Sequence, residues 1–201
     1  AALTAAIGVV QRAKPGNLVS GDAWCLVEGE AGLLLCVVDG LGSGEPAHRA
    51  AAAQLEVVRQ QADRSLPSIL EASHAALLNT RGAATALLRI DPVARQVSFA
   101  GVGNVEARTR HDWHFNPLSL RGIVGANNFR QPRVYEAAYQ PGEWIVLHTD
   151  GLRARFDLEL ELMRAGQSGV LAGGPQALAE QLCADHARDN DDLTVVVMQL
   201  P

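Results

Sequence analysis

Basic residues are few in this chain of 201 residues: 17 lysines and arginines stand against 22 aspartates and glutamates, for a formal net charge of −5. Binding to nucleic-acid phosphates calls for a basic face, so this balance argues against nucleic acid as a partner. Long apolar runs are missing too, and none approaches the ~18 to 20 residues of a membrane helix. No basic start precedes an apolar stretch near residue 1, so we expect neither a membrane partner nor a signal peptide.

Cysteine is also sparse. The three cysteines are Cys25, Cys36 and Cys183, and no set of four Cys and His residues has the spacing of a structural zinc site. An odd number of cysteines without a disulfide framework predicts reduced, buried thiols and a cytoplasmic location. Cys25 and Cys36 could still face each other across a hairpin.

The overall composition, 48% hydrophobic and 19% charged, is typical of a folded globular protein. At this length we expect one domain spanning residues 1–201, large enough to bury a core without disulfides.

Residue periodicity predicts blocks of strands that alternate with pairs of helices. The predicted strands are 3–11, 21–28, 32–38, 83–90, 96–102, 104–110, 133–139, 143–149 and 193–200. The predicted helices are 45–63, 66–77, 157–165 and 175–187, and a poorly patterned loop covers 116–133. Consecutive strands and paired helices favour antiparallel sheets with helices packed outside, an α+β fold, over a doubly wound parallel sheet.

Aspartates recur at the ends of the predicted strands. Asp39 follows LLLCVV and Asp150 follows WIVLHT, each with a glycine directly after it. The pair Asp191-Asp192 precedes LTVVV, and Asp22 opens the second strand. A lone Asp-Gly is typical of a turn. A buried sheet, however, delivers its strand ends to one rim, where several anions stay ionised only beside a cation.

The aspartates at the strand ends would offer only oxygen ligands, which narrows the choice of cation. All-oxygen ligands suit Mg²⁺ or Mn²⁺. Two such ions close together would activate a water and neutralise a phosphoryl group under in-line attack. Gly40 would let its own carbonyl approach an ion with no Cβ in the way.

Three other motifs have plainer interpretations. The run Gly-Leu-Gly-Ser-Gly at 40–44 lacks the Lys-Ser/Thr ending of a nucleotide-binding loop. Gly101-Val-Gly103-Asn104 is typical of a hairpin turn, with Asn104 as a structural residue. Thr149 could orient the Asp150 carboxylate, although a strand threonine needs no such role.

Six segments in order resemble the metal-dependent protein phosphatases of the 2C type: SGDAW, VVDGLGSGEPA, RGAATALL, GVGN, VLHTDGL and NDDLTVVV. They are most similar to the bacterial SpoIIE/RsbU/RsbX branch, over Asp22 to Val197. No single segment is specific, but six in this order are. The compact length without a sensor domain, and Ser43 where the branch often has histidine, look most like the RsbX-type stressosome phosphatases.

The resemblance implies an αββα sandwich, with two mainly antiparallel sheets flanked by helix pairs and a dinuclear Mn²⁺ or Mg²⁺ site between the sheet ends. On this pattern Asp39 would bridge both ions and Gly40 would offer its carbonyl to one. Asp22 would act through a metal-bound water, while Asp150 and Asp191 would ligate the other ion.

Three parts of the chain depart from the family pattern. Asp192, a further candidate ligand, stands where eukaryotic members usually have asparagine. Those members bind the substrate phosphate with an arginine shortly before the first aspartate, whereas this chain reads AKPGNLVSGD and offers Lys14 as the candidate substrate-binding residue. The poorly patterned loop is shorter than the flap of larger relatives. Its Arg121, Arg130 and Arg133 could contact the surroundings of the phosphorylated residue, or could be solvated loop charges.

The resemblance implies a phosphoserine/phosphothreonine protein phosphatase that acts on stressosome (RsbR/RsbS-like) scaffold proteins in bacterial stress signalling. The alternative is a catalytically inactive domain of the same fold that serves as a binding module. Retention of all four expected acidic positions favours the enzyme, because an inactive copy usually loses at least one. An unrelated two-metal phosphoesterase would normally carry histidine ligands.

Overall fold

The computed structural model describes residues 5–201. Its strands are β1 (Ala6–Arg12), β2 (Asp22–Gly29), β3 (Gly32–Gly40), β4 (Ala83–Asp91), β5 (Gln96–Val102), β6 (Glu106–Thr109), β7 (Tyr135–Ala138), β8 (Trp144–His148) and β9 (Leu193–Gln199). Its helices are α1 (Gly44–Gln60), α2 (Leu66–Leu77), α3 (Leu158–Ser168) and α4 (Gly174–His186). None of the helices in this part of the chain is long and apolar enough to cross a membrane.

Each predicted helix and strand is present, with shifts at the ends. The first two residues of the predicted strand 3–11 lie outside the described residues, and the described part continues to Arg12. The predicted helix 45–63 is wrong at its end: α1 stops at Gln60, because Gln61 leaves the helical conformation with φ −122°. The helix α2 then begins at Leu66, after the N-cap residue Ser65, whose side chain accepts a hydrogen bond from the Ser68 N–H at 3.3 Å.

The strands form two sheets in which all neighbours are antiparallel. One sheet has four strands in the order β1-β9-β8-β6, and the other has five in the order β2-β3-β4-β5-β7. The predicted α+β sandwich of two antiparallel sheets with helices is therefore confirmed.

The layers follow from the alternation of side chains along each strand. In β3 the odd-numbered residues 33–37 pack in the core between the sheets, whereas the even-numbered residues 34–38 pack against α1 and α2. Cys25 and Cys36 are register partners on that helix-facing side, and both are free thiols. On the other sheet, the outer residues of β8 and β9 pack against α3 and α4.

Antiparallel pairing gathers several strand ends at one end of the sandwich. Asp22 at the start of β2 pairs with Asp39, and Gly40 at the end of β3 pairs with Ala83 at the start of β4. In the four-stranded sheet, the end of β8 lies beside the start of β9. Loops from both sheets therefore meet at this rim.

Candidate metal centre between the sheet ends

Asp22 and Asp39 lie directly opposite each other on β2 and β3. In the adjacent pair, the Gly40 N–H donates to the Gly21 carbonyl at 2.9 Å. The aspartates thus occupy a non-hydrogen-bonded position, where the side chains of antiparallel strands stand closest. By alternation both side chains lie on the face that packs against the other sheet. The two carboxylates are therefore neighbours at the rim.

A cleft of about 530 Å³ opens at this rim. Asp39 lines it from the five-stranded sheet, and Asp150 and Asp191 line it from the loops that follow β8 and precede β9. Asp22 is only 2% exposed and lies beside Asp39, beneath the cleft surface. The structure thus brings the four predicted acidic residues together. The remaining lining residues are Leu41, Gly42, Ala84, Gly103, Asn104, Arg121, Gly122 and Ile123.

Thr149 links the two sheets at the centre. Its Oγ1 donates to Asp22 Oδ2 at 2.6 Å and accepts the Thr194 N–H at 2.9 Å. Thr149 follows β8 in one sheet and Asp22 begins β2 in the other, so the first bond crosses the interface between them. The expectation that Thr149 orients Asp150 is wrong, because its hydroxyl holds the Asp22 carboxylate instead.

Asn104 holds a second carboxylate. It lies in the turn after β5, where its Nδ2 donates to Asp150 Oδ2 at 2.7 Å. Asn104 also lines the cleft, so it contacts the site in addition to its place in the turn. Its amide orients one of the predicted metal ligands.

Asp192 is bonded differently from the other aspartates. Its Oδ1 accepts the Lys14 N–H at 2.7 Å and its Oδ2 accepts the Gly21 N–H at 2.9 Å. These bonds tie the segment before β2 to the start of β9, and they give the buried carboxylate a role that needs no cation. Lys14 reaches the centre through its backbone, and its side chain is not among those that line the cleft.

The glycines after Asp39 and Asp150 allow two backbones to approach closely. A Cβ on Gly40 would lie 2.0 Å from the Ala47 carbonyl oxygen of α1. A Cβ on Gly151 would lie 2.0 Å from the Asp192 carbonyl oxygen. Both glycines therefore have a packing reason, and the approach of the Gly40 carbonyl to an ion is not needed to explain its presence.

Burial and mutual repulsion disfavour the charged state of these carboxylates. Burial, followed by the charges of Asp22, Asp150 and Asp191, raises the pKa of Asp39 to about 8. Burial raises the pKa of Asp22 to about 7, although the Thr149 hydrogen bond lowers it in part. The pKa of Asp150 is also raised, first by burial and then by Asp191. A bound cation would relieve this crowding of negative charge.

The donor set fits hard divalent cations, since its side-chain ligands are all carboxylate oxygens. The carboxylates do not all converge on one point. Among residues 5–201, one group of three or more His, Cys, Asp or Glu residues has its ligand atoms all within 4.8 Å of one another: Glu161, Asp185 and His186, between α3 and α4. That group already contains a hydrogen bond of 2.9 Å between His186 Nε2 and Glu161 Oε1.

Comparison with known proteins agrees with this geometry. The sequence profile described as Stage II sporulation protein E (SpoIIE) matches residues 29–201. The chain belongs to the SpoIIE family. Phosphoserine phosphatase RsbX of Bacillus subtilis (strain 168) is 30% identical to it over 194 residues, which are 96% of this chain and 93% of RsbX.

Solved structures extend the similarity to the whole SpoIIE-type domain. RsbX in complex with magnesium matches with a TM-score of 0.80 and 28% identity, over 99% of this chain and 100% of that one. A chain from work on the bacterial stressosome, a modular system adapted to control secondary messenger signalling, matches with a TM-score of 0.86 and 27% identity, over 98% and 100%. The predicted 2C-type phosphatase family and its fold are confirmed.

Sequence reasoning missed part of the centre of this SpoIIE-family chain. Asn104 and Thr149 were not predicted to hold Asp150 and Asp22, yet both stand near the end of a strand, as the acidic residues do. The sequence signal that could have identified them is a polar residue at each strand end that lies at the same rim of the sandwich. Of the three loop arginines, Arg121 is the one that lines the cleft.

Proposed function

We propose that this SpoIIE-family chain is a phosphoserine/phosphothreonine protein phosphatase that works with two Mn²⁺ or Mg²⁺ ions. The observation that carries the proposal is the meeting of Asp39, Asp150 and Asp191 in one cleft, with Asp22 beside them. The relative RsbX, which is named a phosphoserine phosphatase and was solved with magnesium, supports both the reaction and the metal. The proposed metal ligands are Asp22, Asp39, Gly40, Asp150, Asp191 and Asp192, and the proposed catalytic residues are Asp22, Asp39, Asp150 and Asp191.

Bound divalent ions would act as Lewis acids that lower the pKa of a water and neutralise phosphoryl oxygens. The chain's own residues prepare the centre for that chemistry. Thr149 keeps the Asp22 carboxylate in place, and Asn104 keeps that of Asp150 in place. Because the pKa values of Asp39 and Asp22 are about 8 and about 7, filling the centre at neutral pH displaces protons from these carboxyls.

Apolar side chains near the cleft support a protein as the substrate. Leu41 lines the cleft and is 47% exposed, and Leu120, next to Arg121, is 39% exposed. Leu118, close by in the same loop, is 60% exposed. Apolar surface next to a polar cleft is typical of a site that contacts another protein, and free phosphoserine has no group to cover it.

The proposed partner is a phosphorylated scaffold protein of a stressosome-like complex. The neighbour solved in work on the bacterial stressosome, together with the similarity to RsbX, supports this choice. We place the reaction in the cytoplasm, as the three free cysteines predict, and treat residues 1–201 as one phosphatase domain.

A catalytically inactive binding module is the second candidate. Burial and repulsion raise the pKa values of Asp39 and Asp22 at a cost in stability. A module that only binds a partner gains nothing from that cost. The clustered carboxylates therefore favour the enzyme.

The test offers the purified protein a phosphorylated stressosome scaffold protein, a phosphotyrosine peptide and free phosphoserine, each with Mn²⁺, Mg²⁺ or EDTA. Asp39→Asn, purified identically, controls for a contaminating phosphatase. We expect phosphate release from the phosphoprotein with either metal and none with EDTA. A preference for phosphotyrosine, or full turnover without metal, would contradict the proposal.

A further inference from the structure

The loop that carries Arg121 is fixed to the five-stranded sheet on both sides of this residue. On one side, the Leu120 N–H donates to the Gly101 carbonyl at 2.9 Å, and the Gly103 N–H donates to the Leu120 carbonyl at 2.8 Å. On the other side, Val124 and Ala83 exchange two backbone hydrogen bonds of 2.9 and 3.0 Å. The residues between these anchors form a short bridge, so the backbone at Arg121 has little freedom.

The rest of the loop is held by α2. His74 Nδ1 accepts the Gly125 N–H at 3.0 Å, and the His74 ring stacks on Phe129 with 4.4 Å between centroids. Farther along, Gln131 Nε2 donates to the Pro67 carbonyl at 2.9 Å. The loop is thus positioned by both a sheet and a helix before any substrate arrives.

The Arg121 side chain lines the same cleft as Asp39, Asp150 and Asp191. Within residues 5–201 it takes part in no ion pair of 4.0 Å or less. Arg121 shares the cleft with three carboxylates but forms an ion pair with none of them. There is therefore room for an anion to bind its guanidinium. Its five N–H donors can then meet a planar or tetrahedral anion in a bidentate manner.

The other basic residues near the cleft are less well placed to bind a substrate anion. Lys14 is bonded at the centre through its backbone N–H. Arg188 lowers the pKa of Asp150 by its charge but does not line the cleft. Arg130 donates to the neighbouring Phe129 carbonyl at 3.4 Å, and Arg133 lies over a tyrosine ring at 5.0 Å. Among the described residues, Arg121 is the basic side chain that lines the cleft together with the carboxylates.

We propose that Arg121 binds the phosphate group of the substrate, a phosphomonoester dianion, in the cleft that the carboxylates also line. This inference rests on the proposed function, because it names the residue that would hold the substrate of that reaction. The basic side chain that binds the substrate phosphate then comes from the loop between β6 and β7. The sequence had predicted it in the segment before Asp22, at Lys14.

The test compares Arg121→Ala and Arg121→Lys with the wild type, and uses Arg130→Ala from the same loop as the matched control. One readout is kcat/KM on the phosphoprotein and on p-nitrophenyl phosphate. The second is thermal stabilisation by inorganic phosphate at saturating Mg²⁺, which needs no turnover. Loss of a charge-assisted hydrogen-bond pair predicts a kcat/KM lower by about 10- to 100-fold for Arg121→Ala.

We expect Arg121→Ala to lose the stabilisation by phosphate, Arg121→Lys to keep part of it, and Arg130→Ala to match the wild type. The Mg²⁺ concentration for half-maximal activity should not rise, since Arg121 binds no cation and its removal takes a positive charge out of the cleft. Equal phosphate stabilisation in Arg121→Ala and the wild type would overturn the inference even if the enzyme is active. A wild type that hydrolyses no phosphoprotein would overturn the proposed function, and the phosphate measurement would still decide whether Arg121 binds the anion.

Discussion

Thr149 Oγ1 lies 2.6 Å from Asp22 Oδ2, and this hydrogen bond joins the two sheets of the sandwich at the candidate metal centre. The same hydroxyl accepts the Thr194 N–H from β9 at 2.9 Å. Neither Thr149 nor Asp22 is solvated, with exposures of 0% and 2%. One side chain therefore couples the stability of the sandwich to the orientation of a proposed catalytic carboxylate.

We expect Thr149→Val to lower the free energy of unfolding by about 1–3 kcal/mol, because valine leaves a buried acceptor and a buried donor unpaired. The Mn²⁺ concentration for half-maximal activity should rise by about 10- to 100-fold, as is usual when a group that orients a metal ligand is lost. Chemical denaturation and a Mn²⁺ titration measure the two effects. Thr85→Val is the matched control, since the buried Thr85 hydroxyl has no hydrogen-bond partner among the described residues. The role assigned to Thr149 fails if the two variants behave alike.

Replacing Asn104 should shift the pH dependence of the enzyme. The Asn104 amide lowers the pKa values of both Asp150 and Asp39, so Asn104→Ala raises them and lets protons compete better with the metal. We expect kcat/KM at pH 7 to fall by about 10-fold and the acid limb of the pH–rate profile to move to higher pH. Asn127→Ala, an exposed change in the loop, should leave the profile in place. An unmoved acid limb in Asn104→Ala would argue for a role in the turn alone.

Amide substitutions of the central carboxylates should separate activity from stability. Asp39→Asn and Asp150→Asn preserve shape but remove the charge that holds the cations, so we expect kcat to fall by roughly 100-fold or more. The melting temperature without metal should stay the same or rise, because repulsion between clustered anions is relieved. Activity at saturating Mn²⁺ and melting in EDTA are the measurements, with the exposed Asp189→Asn as control. Near-normal activity in either central variant would refute the assignment.

The metal-free protein should lose stability as the pH rises. The Asp39 carboxyl has a pKa near 3.8 when unfolded and about 8 when folded, so the folded state binds more protons across this range. The free energy of unfolding therefore declines as the pH increases from about 4 to 8. Melting in EDTA at several pH values should show this slope, and Asp39→Asn should flatten it. If melting temperature depends on pH in the same way in the wild type and in Asp39→Asn, then Asp39 is not the cause of the loss of stability.

Local sequence patterns were enough to predict the order and type of the strands and helices. They were also enough to identify the acidic residues at the strand ends. The continuous apolar run LLLCVV and the helical spacing of Leu66, Ile69, Leu70 and Leu77 are properties of short segments, so the strand and helix they predict are present. Asp39 and Asp150 were identifiable because each directly follows an apolar run.

Tertiary structure alone decided which polar atoms meet. Thr149 and Asp22 are 127 positions apart, and Asn104 and Asp150 are 46 apart. Their bonds exist because of how one sheet stacks on the other, which no local pattern encodes. The same holds for Asp192, whose carboxylate binds backbone N–H groups more than 170 positions away. Strand ends can be read from neighbours in sequence, but the partner across a sandwich is set by packing between layers.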